Sequence, residues 1–211
     1  MPPSPVEFAS LLCSRLCHDL LSPVGALNNG LELLADETDP AMRQRCMDLL
    51  AESARTSANK LKFFRLAFGA AGGFGEQIDA REAQAAIEGL LADHKRIALH
   101  WLVDAAQLPK PAAKALLNLA VIAADALVRG GDLTVGAEEE GGQVEIVIRA
   151  EGPRLVLDPD IRRTLTDGDG EGDDGVTTRT AAAWLIYSLA GAVQVSEPAA
   201  NVVVFGAALR G

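Results

Sequence analysis

Apolar residues recur at spacings of three and four over two long stretches near the start of the chain, and from about Gly69 onward this pattern gives way to shorter, mixed units. In the first stretch Cys13, Cys17, Leu20, Val24, Leu27, Leu31 and Leu34 form one continuous seam of a 3.6-residue helix, predicted from about Val6 to Ala35. Asp36-Glu37-Thr38-Asp39-Pro40 reads as a turn, with Asp39 as N-cap and Pro40 as the first residue of the next helix. The second helix carries Met47, Leu50, Ala54, Ser57, Leu61, Phe64 and Phe68 on its own seam. So short a connection makes the two helices antiparallel. Leu12, Leu16, Leu21, Leu33, Leu49 and Phe63 fall off both seams and require cover. A homodimer whose two hairpins form a four-helix bundle supplies it; the alternative is that the rest of the same chain does so.

Ala70-Ala71-Gly72-Gly73-Phe74-Gly75 marks a linker by its glycine density and divides the chain into residues 1–72 and 73–211. Beyond it the pattern predicts a helix over 80–92, a strand over 97–103 and a long Ala/Leu-rich helix over 110–128. A β-hairpin of 132–137 and 143–150 follows across residues 138–142, then a helix over 178–190 and closing strands over 192–195 and 202–207. The fold class is α plus α/β: an antiparallel helical hairpin followed by an α/β sandwich, a mixed sheet with helices on one face.

Composition narrows the function. A length of 211 residues can bury a real core, and 49% hydrophobic residues fits a globular chain. A net charge of −10 argues against direct nucleic-acid binding, which needs clustered Lys and Arg. No apolar run approaches the roughly 20 residues of a membrane span. Met1-Pro2-Pro3-Ser4-Pro5 lacks the basic flank and apolar stretch of a signal peptide, and three cysteines suit a reducing compartment, so a cytoplasmic protein away from membranes is expected.

His18 is the candidate for chemistry. It lies one residue, roughly 100°, off the apolar seam, among Ser14, Arg15, Ser22, Gly25, Asn29 and Glu32, a polar face low in bulk where an imidazole stands proud. Asp19 places a carboxylate beside it, and Pro23, five residues on, cannot donate to the Asp19 carbonyl and should bend the helix there. Counted outward from the turn, His18 is level with Ala58 and Lys60. Cys13, Cys17 and His18 match neither a haem attachment sequence nor a tetrahedral metal set, so no metal site is expected and both cysteines read as core.

The run His18-Asp19-Leu20-Leu21-Ser22-Pro23 resembles the phosphoacceptor box of two-component histidine kinases. Its continuation from Val24 to Leu34 resembles the ChpT family of alphaproteobacterial histidine phosphotransferases. The resemblance implies a Bergerat-type, kinase-ATPase-like second domain in degenerate form. Leu117 to Ala123 resembles the helix bearing the kinase's magnesium-binding asparagine: the first asparagine of that motif is Asn118, and Ile122 stands where the second should be. Where kinases carry Asp-x-Gly-x-Gly, the chain offers Ala150-Glu151-Gly152-Pro153-Arg154; a slip of one residue would make Glu151 the acid. The glycine-rich run from Asp167 to Gly175 is too acidic to cradle a triphosphate. Its EF-hand-like spacing (Asp167, Asp169, Glu171) meets Thr178 at the twelfth position, so it reads as a solvated loop. His94 and His100 read as structural.

What the resemblance implies is a dimeric relay protein, with an active ATP-dependent histidine kinase of atypical nucleotide site and a non-enzymatic binding scaffold as the alternatives. His18 accepts a phosphoryl group from the receiver aspartate of a hybrid kinase (CckA-like) and passes it to response-regulator receivers (CtrA-like, CpdR-like). Helical spacing puts Asp19 where it can orient the imidazole or take its proton, and Arg15, Ser22, Gly25 and Asn29 where they meet the receiver. The receiver brings its own Mg²⁺, and this chain is expected to bind no ATP and to lack autokinase activity.

Overall fold

The computed structural model describes residues 2–69, 76–92, 96–169, 175–196 and 201–210. Helix α1 (Pro5–Asp36) starts at a full capping box: Ser4 Oγ accepts from the Glu7 N–H, and the Glu7 carboxylate accepts from the Ser4 N–H at 2.8 Å. Helix α2 (Pro40–Ala67) starts as expected, with Asp39 accepting from the Ala41 N–H at 2.7 Å and Pro40 in the first turn. Arg43 closes the tip of the hairpin. Its guanidinium donates to the carbonyls of Leu34 and Glu37, at 3.1 and 2.7 Å, which satisfies acceptors at the end of α1 with a cation.

After the hairpin come β1 (Gln77–Asp79), α3 (Ala80–Leu91), β2 (Ile97–Val103), β3 (Gln107–Pro109) and α4 (Lys110–Ala126). Next are β4 (Gly131–Glu140), β5 (Gln143–Glu151), α5 (Pro159–Asp167), α6 (Ala181–Ala190), β6 (Gln194–Val195) and β7 (Val202–Arg210). The main sheet has the order β2-β4-β5-β7-β6, with β2 and β4 parallel and the other pairs antiparallel. Burial alternates along it. Leu133, Val135 and Ala137 on β4, Val144, Ile146, Ile148 and Ala150 on β5, and Val203, Phe205, Ala207 and Leu209 on β7 all face the helical layer. This is the mixed sheet with helices on one face that the pattern predicts. The β4–β5 turn is tighter than expected: Gly141 and Gly142, with φ of +60° and +78°, make the whole loop, a pair of positive angles that glycine adopts without strain.

Three element assignments also differ from the sequence reading. The β1–β3 ribbon was not foreseen, each strand being three residues long. Nor was α5, although Asp158-Pro159 repeats the Asp39-Pro40 cap: Asp158 accepts from the N–H groups of Asp160 and Ile161. And the last helix starts at Ala181, the residues from Thr178 forming a turn.

The two regions share one core. Phe63, Phe64, Leu66 and Ala67 at the end of α2 are buried in the same cluster as Ile87 of α3, Leu116 of α4 and the inner face of the sheet. Phe8 of α1 packs at a tilt against Trp184 of α6 with ring centroids 4.6 Å apart. The second region therefore grips the open end of the hairpin, and the turn end projects away. The linker at 70–75, including the expected boundary at residues 72 and 73, lies outside the described residues.

The hairpin's inner seam is rotated from the predicted one. Leu20, Leu27 and Leu34 are half-buried, and Pro23 and Gly30 are buried, so the stripe facing α2 runs through Leu16, Leu20, Pro23, Leu27, Gly30 and Leu34. Cys13 and Cys17, expected in the core, are exposed, as are Val24 and Leu31. Of the six residues expected to need a partner, Phe63 is covered by the second region and Leu16 packs against its core. Leu12 is half-buried, and Leu21, Leu33 and Leu49 remain exposed.

Candidate active site

His18 sits midway along α1, close to where the second region meets the hairpin, with its side chain 86% exposed. Its Nδ1 lies 3.5 Å from Asp19 Oδ1, which turns Nε2 away from the carboxylate. The other Asp19 oxygen, Oδ2, lies 3.8 Å from Arg15 Nε, one helical turn back. Asp19 is also held through its main chain. Its carbonyl is the one the N–H of residue 23 would normally bond, and residue 23 is proline. Lys60 of α2 fills the place, Nζ donating to the Asp19 carbonyl at 2.8 Å. An unpaired carbonyl at this partly buried position would cost about 1–3 kcal/mol.

Beside His18 a cleft of about 340 Å³ opens between α1 and the second region, lined by Arg15, Asp19, Ile122, Asp125, Ile161, Thr178 and Arg179 with the histidine at its mouth. Arg179 is fixed from behind: its guanidinium bonds Asp158 and, at 2.9 Å, Asp160 Oδ2, and Arg163 shares the Asp160 carboxylate at 2.9 Å. Helix α5, absent from the sequence reading, thus supplies the carboxylates that hold a cation at the cleft.

The predicted site residues divide. Ser22 and Asn29 are exposed on α1, and Gly25 is half-buried with open space where a Cβ would stand, so the low-bulk face exists as expected. Arg15 departs from it. Its side chain is only 20% exposed, enters the cleft, and lies 3.5 Å from the Arg179 carbonyl, because the second region closes over that side of α1. Asn29 belongs to the far end of the helix, beside Glu32, Leu33, Asp36 and Glu37. The sequence reading missed Lys60, Arg179 and Asp125 as site residues. Only Lys60 had a usable signal, since Pro23 frees the Asp19 carbonyl and counting from the turn places Lys60 at that level.

The residues aligned with a nucleotide site do not suit one. Ile122 is buried and offers no oxygen to a magnesium ion. Asn118 is buried and occupied: its Nδ2 donates to the carbonyls of Lys114, at 2.8 Å, and Ala67, at 3.3 Å, tying α4 to the end of α2. Ala150 packs in the core, and Glu151, the acid of the shifted alignment, pairs with Arg149. Gly152 serves packing, since a Cβ there would stand 2.4 Å from the Gly130 carbonyl oxygen. Of the acidic run, residues 170–174 lie outside the described residues, as does His94; His100 Nε2 lies 2.6 Å from Asp132 Oδ1 between β2 and β4. Among the described residues no three His, Cys, Asp or Glu side chains gather as a metal set, and no helix is long and apolar enough to cross a membrane.

Residues 80–196 match the family described as Histidine phosphotransferase C-terminal domain. Protein phosphotransferase ChpT of Brucella abortus (strain 2308) is 40% identical over 156 residues, 74% of this chain and 73% of that protein. The chain belongs to the ChpT-type histidine phosphotransferases. A solved bacterial phosphotransferase superposes with a TM-score of 0.84 at 30% identity, over 98% of both chains, so that likeness extends through the hairpin and the sandwich together. Full-length ShkA in complex with AMPPNP matches with a TM-score of 0.50 at 20% identity, covering 98% of this chain and 46% of that one. At that distance the shared feature is the fold: this phosphotransferase has the architecture of a histidine-kinase core, a helical hairpin followed by an ATPase-like sandwich.

Proposed function

We propose that His18 is the phosphoacceptor of this phosphotransferase, taking a phosphoryl group from a receiver-domain aspartate and passing it to a second receiver. The observation that carries the reading is an 86% exposed imidazole whose Nδ1 faces a carboxylate and whose Nε2 faces outward. Neutral Nε2 attacks the phosphorus of the aspartyl phosphate. The P–O bond breaks and returns a carboxylate to the receiver, an N–P bond forms, and the positive charge left on the ring is met by Asp19 beside Nδ1. Transfer to the second receiver reverses these steps. Little else is asked of this chain, because phosphoryl transfer depends chiefly on in-line positioning and charge neutralisation. The Mg²⁺ that the reaction uses is expected to come with the receiver. The exposed, low-bulk face around Ser22 and Gly25 leaves room for it to dock.

The active form is a homodimer in this reading. Counted from the turn, exposed Cys17, Val24 and Leu31 of α1 lie level with exposed Leu61, Ala54 and Met47 of α2. Matched apolar stripes along both helices suit a four-helix bundle with a second copy. The donor is a hybrid-kinase receiver of the CckA type and the acceptors are CtrA-like and CpdR-like regulators, which places the protein in the cytoplasm and in cell-cycle signalling. The sandwich binds no ATP, for want of an oxygen at position 122, and its role is to hold the open end of the hairpin and flank the histidine.

The decisive experiment is label transfer from a phosphorylated receiver to wild type and to His18→Gln. Label should vanish from the variant while its melting temperature stays unchanged, because the side chain is almost wholly in solvent. A variant that still takes label overturns the assignment.

A further inference from the structure

A proline inside a helix frees the carbonyl four residues before it. In α1 that carbonyl belongs to Asp19, the neighbour of His18, and Pro23 is buried on the side of α1 that packs against α2. The freed carbonyl therefore faces the other helix. A donor reaching it must come from α2, span the gap between two helices, and carry an N–H at its tip. Lysine meets those demands, with a four-carbon stem that packs along the helix and three donors on the ammonium. Lys60 is half-buried at that level, and its Nζ makes the bond at 2.8 Å. It lines a second cavity, of about 220 Å³, together with Asp19, Asn118 and Asp125, walled by Phe63, Phe64 and Phe68.

Asp19 is thus gripped from two directions. Lys60 holds its main chain, and Arg15 approaches Oδ2, which leaves Oδ1 toward His18 Nδ1. We propose that Lys60 is a positioning residue for phosphotransfer: its ammonium replaces the N–H that Pro23 lacks, fixing the backbone at Asp19 and with it the carboxylate that orients the imidazole. This rests on His18 as the phosphoacceptor. Lys60 acts through Asp19 and need not touch the receiver or the phosphoryl group.

The proposal makes Pro23 and Lys60 one unit, and a mutant cycle tests it. Pro23→Ala restores an N–H for the Asp19 carbonyl and should make Lys60 dispensable. Transfer rates from a phosphorylated receiver are measured, at saturating and lower receiver concentrations, for wild type, Lys60→Met, Lys60→Arg, Pro23→Ala and the double variant Pro23→Ala/Lys60→Met. Lys60→Met should lower the saturating rate about tenfold and leave the half-saturating receiver concentration within about twofold, as loss of alignment does. Lys60→Arg, which keeps a cationic donor, should retain most of the rate. In the Pro23→Ala background Lys60→Met should change the rate by less than about twofold, since the alternative donor is present. A wild-type rate for Lys60→Met, an equal loss in both backgrounds, or an effect confined to the half-saturating concentration would each overturn the proposal, the last by making Lys60 a receiver contact. Should Lys60→Met alone fail to fold, the pair built on Pro23→Ala decides, and a slower double variant overturns it. His18→Gln, run alongside, separates the two readings. Label surviving there removes His18 as acceptor, whereas label lost there with no effect of Lys60→Met removes only the role of Lys60.

Discussion

At the scale of single residues, exposure separates the proposed phosphoacceptor from the groups around it. His18 is almost fully exposed, whereas Arg15, Asp19 and Lys60 are half-buried and engage one another or the backbone. Asp19 is the residue through which these contacts converge. Asp19→Asn keeps its size and its main-chain bond to Lys60 but removes the negative charge beside Nδ1. The expected outcome is a transfer rate lowered about ten- to a hundredfold, with helicity and melting temperature near wild type, read by label transfer and circular dichroism. A rate within about twofold of wild type would show that the imidazole is oriented without the carboxylate. Arg15 should behave differently from the exposed Ser22, since its side chain belongs to the cleft rather than to the open face.

At the scale of elements, α4 ties the sandwich to the hairpin. The Asn118 amide joins two carbonyls, one of them at the C-terminal end of α2, where the helix leaves acceptors unpaired. Asn118→Ala should destabilise the protein by about 1–3 kcal/mol, measured by urea unfolding, because it strands the Ala67 carbonyl in the core. It should also loosen the hold of the sandwich on the hairpin. The same helix carries Ile122, a buried side chain with no oxygen to offer a magnesium ion. Calorimetry with Mg-ATP should therefore detect no binding at millimolar nucleotide, and micromolar affinity would require a ligand set other than this helix.

The whole molecule pairs a buried sandwich with a hairpin whose apolar surface is only half covered. Leu31, 57% exposed, lies in the outer stripe, and Leu27, one of the seam residues predicted from the sequence, is half-buried inside the hairpin. Leu31→Asp should therefore separate the proposed dimer and leave the protomer folded, giving a single-chain mass by sedimentation with unchanged far-ultraviolet dichroism. Leu27→Asp should instead lower the stability of the protomer, because it buries a charge between α1 and α2. A Leu31→Asp protein that still sediments as a dimer would place the interface elsewhere.

The sequence by itself determined what depends on local spacing. Period and caps set both hairpin helices and their antiparallel order, alternation set the inner face of the sheet, and the step of one residue off the apolar stripe set His18 apart. Those are properties of a residue and its near neighbours. Tertiary structure decided which of two adjacent stripes on α1 faces α2, and so whether Cys13, Cys17 and Leu31 or Pro23 and Gly30 are buried. Periodicity cannot choose between two stripes that share Leu20, Leu27 and Leu34 and differ by one position, about 100°, at the residues between; packing against another element does. It also decided that Arg15 turns into a cleft and that Arg179 stands beside it, since the two are brought together by the docking of α6 on α1. Helix α5 escaped because its only apolar residues are Ile161 and Leu165, too few for a period, although its Asp-Pro cap was legible. Lys60 lies between the two cases: the missing N–H of Pro23 is written in the sequence, but the distance its side chain spans to replace it exists only once the helices are packed.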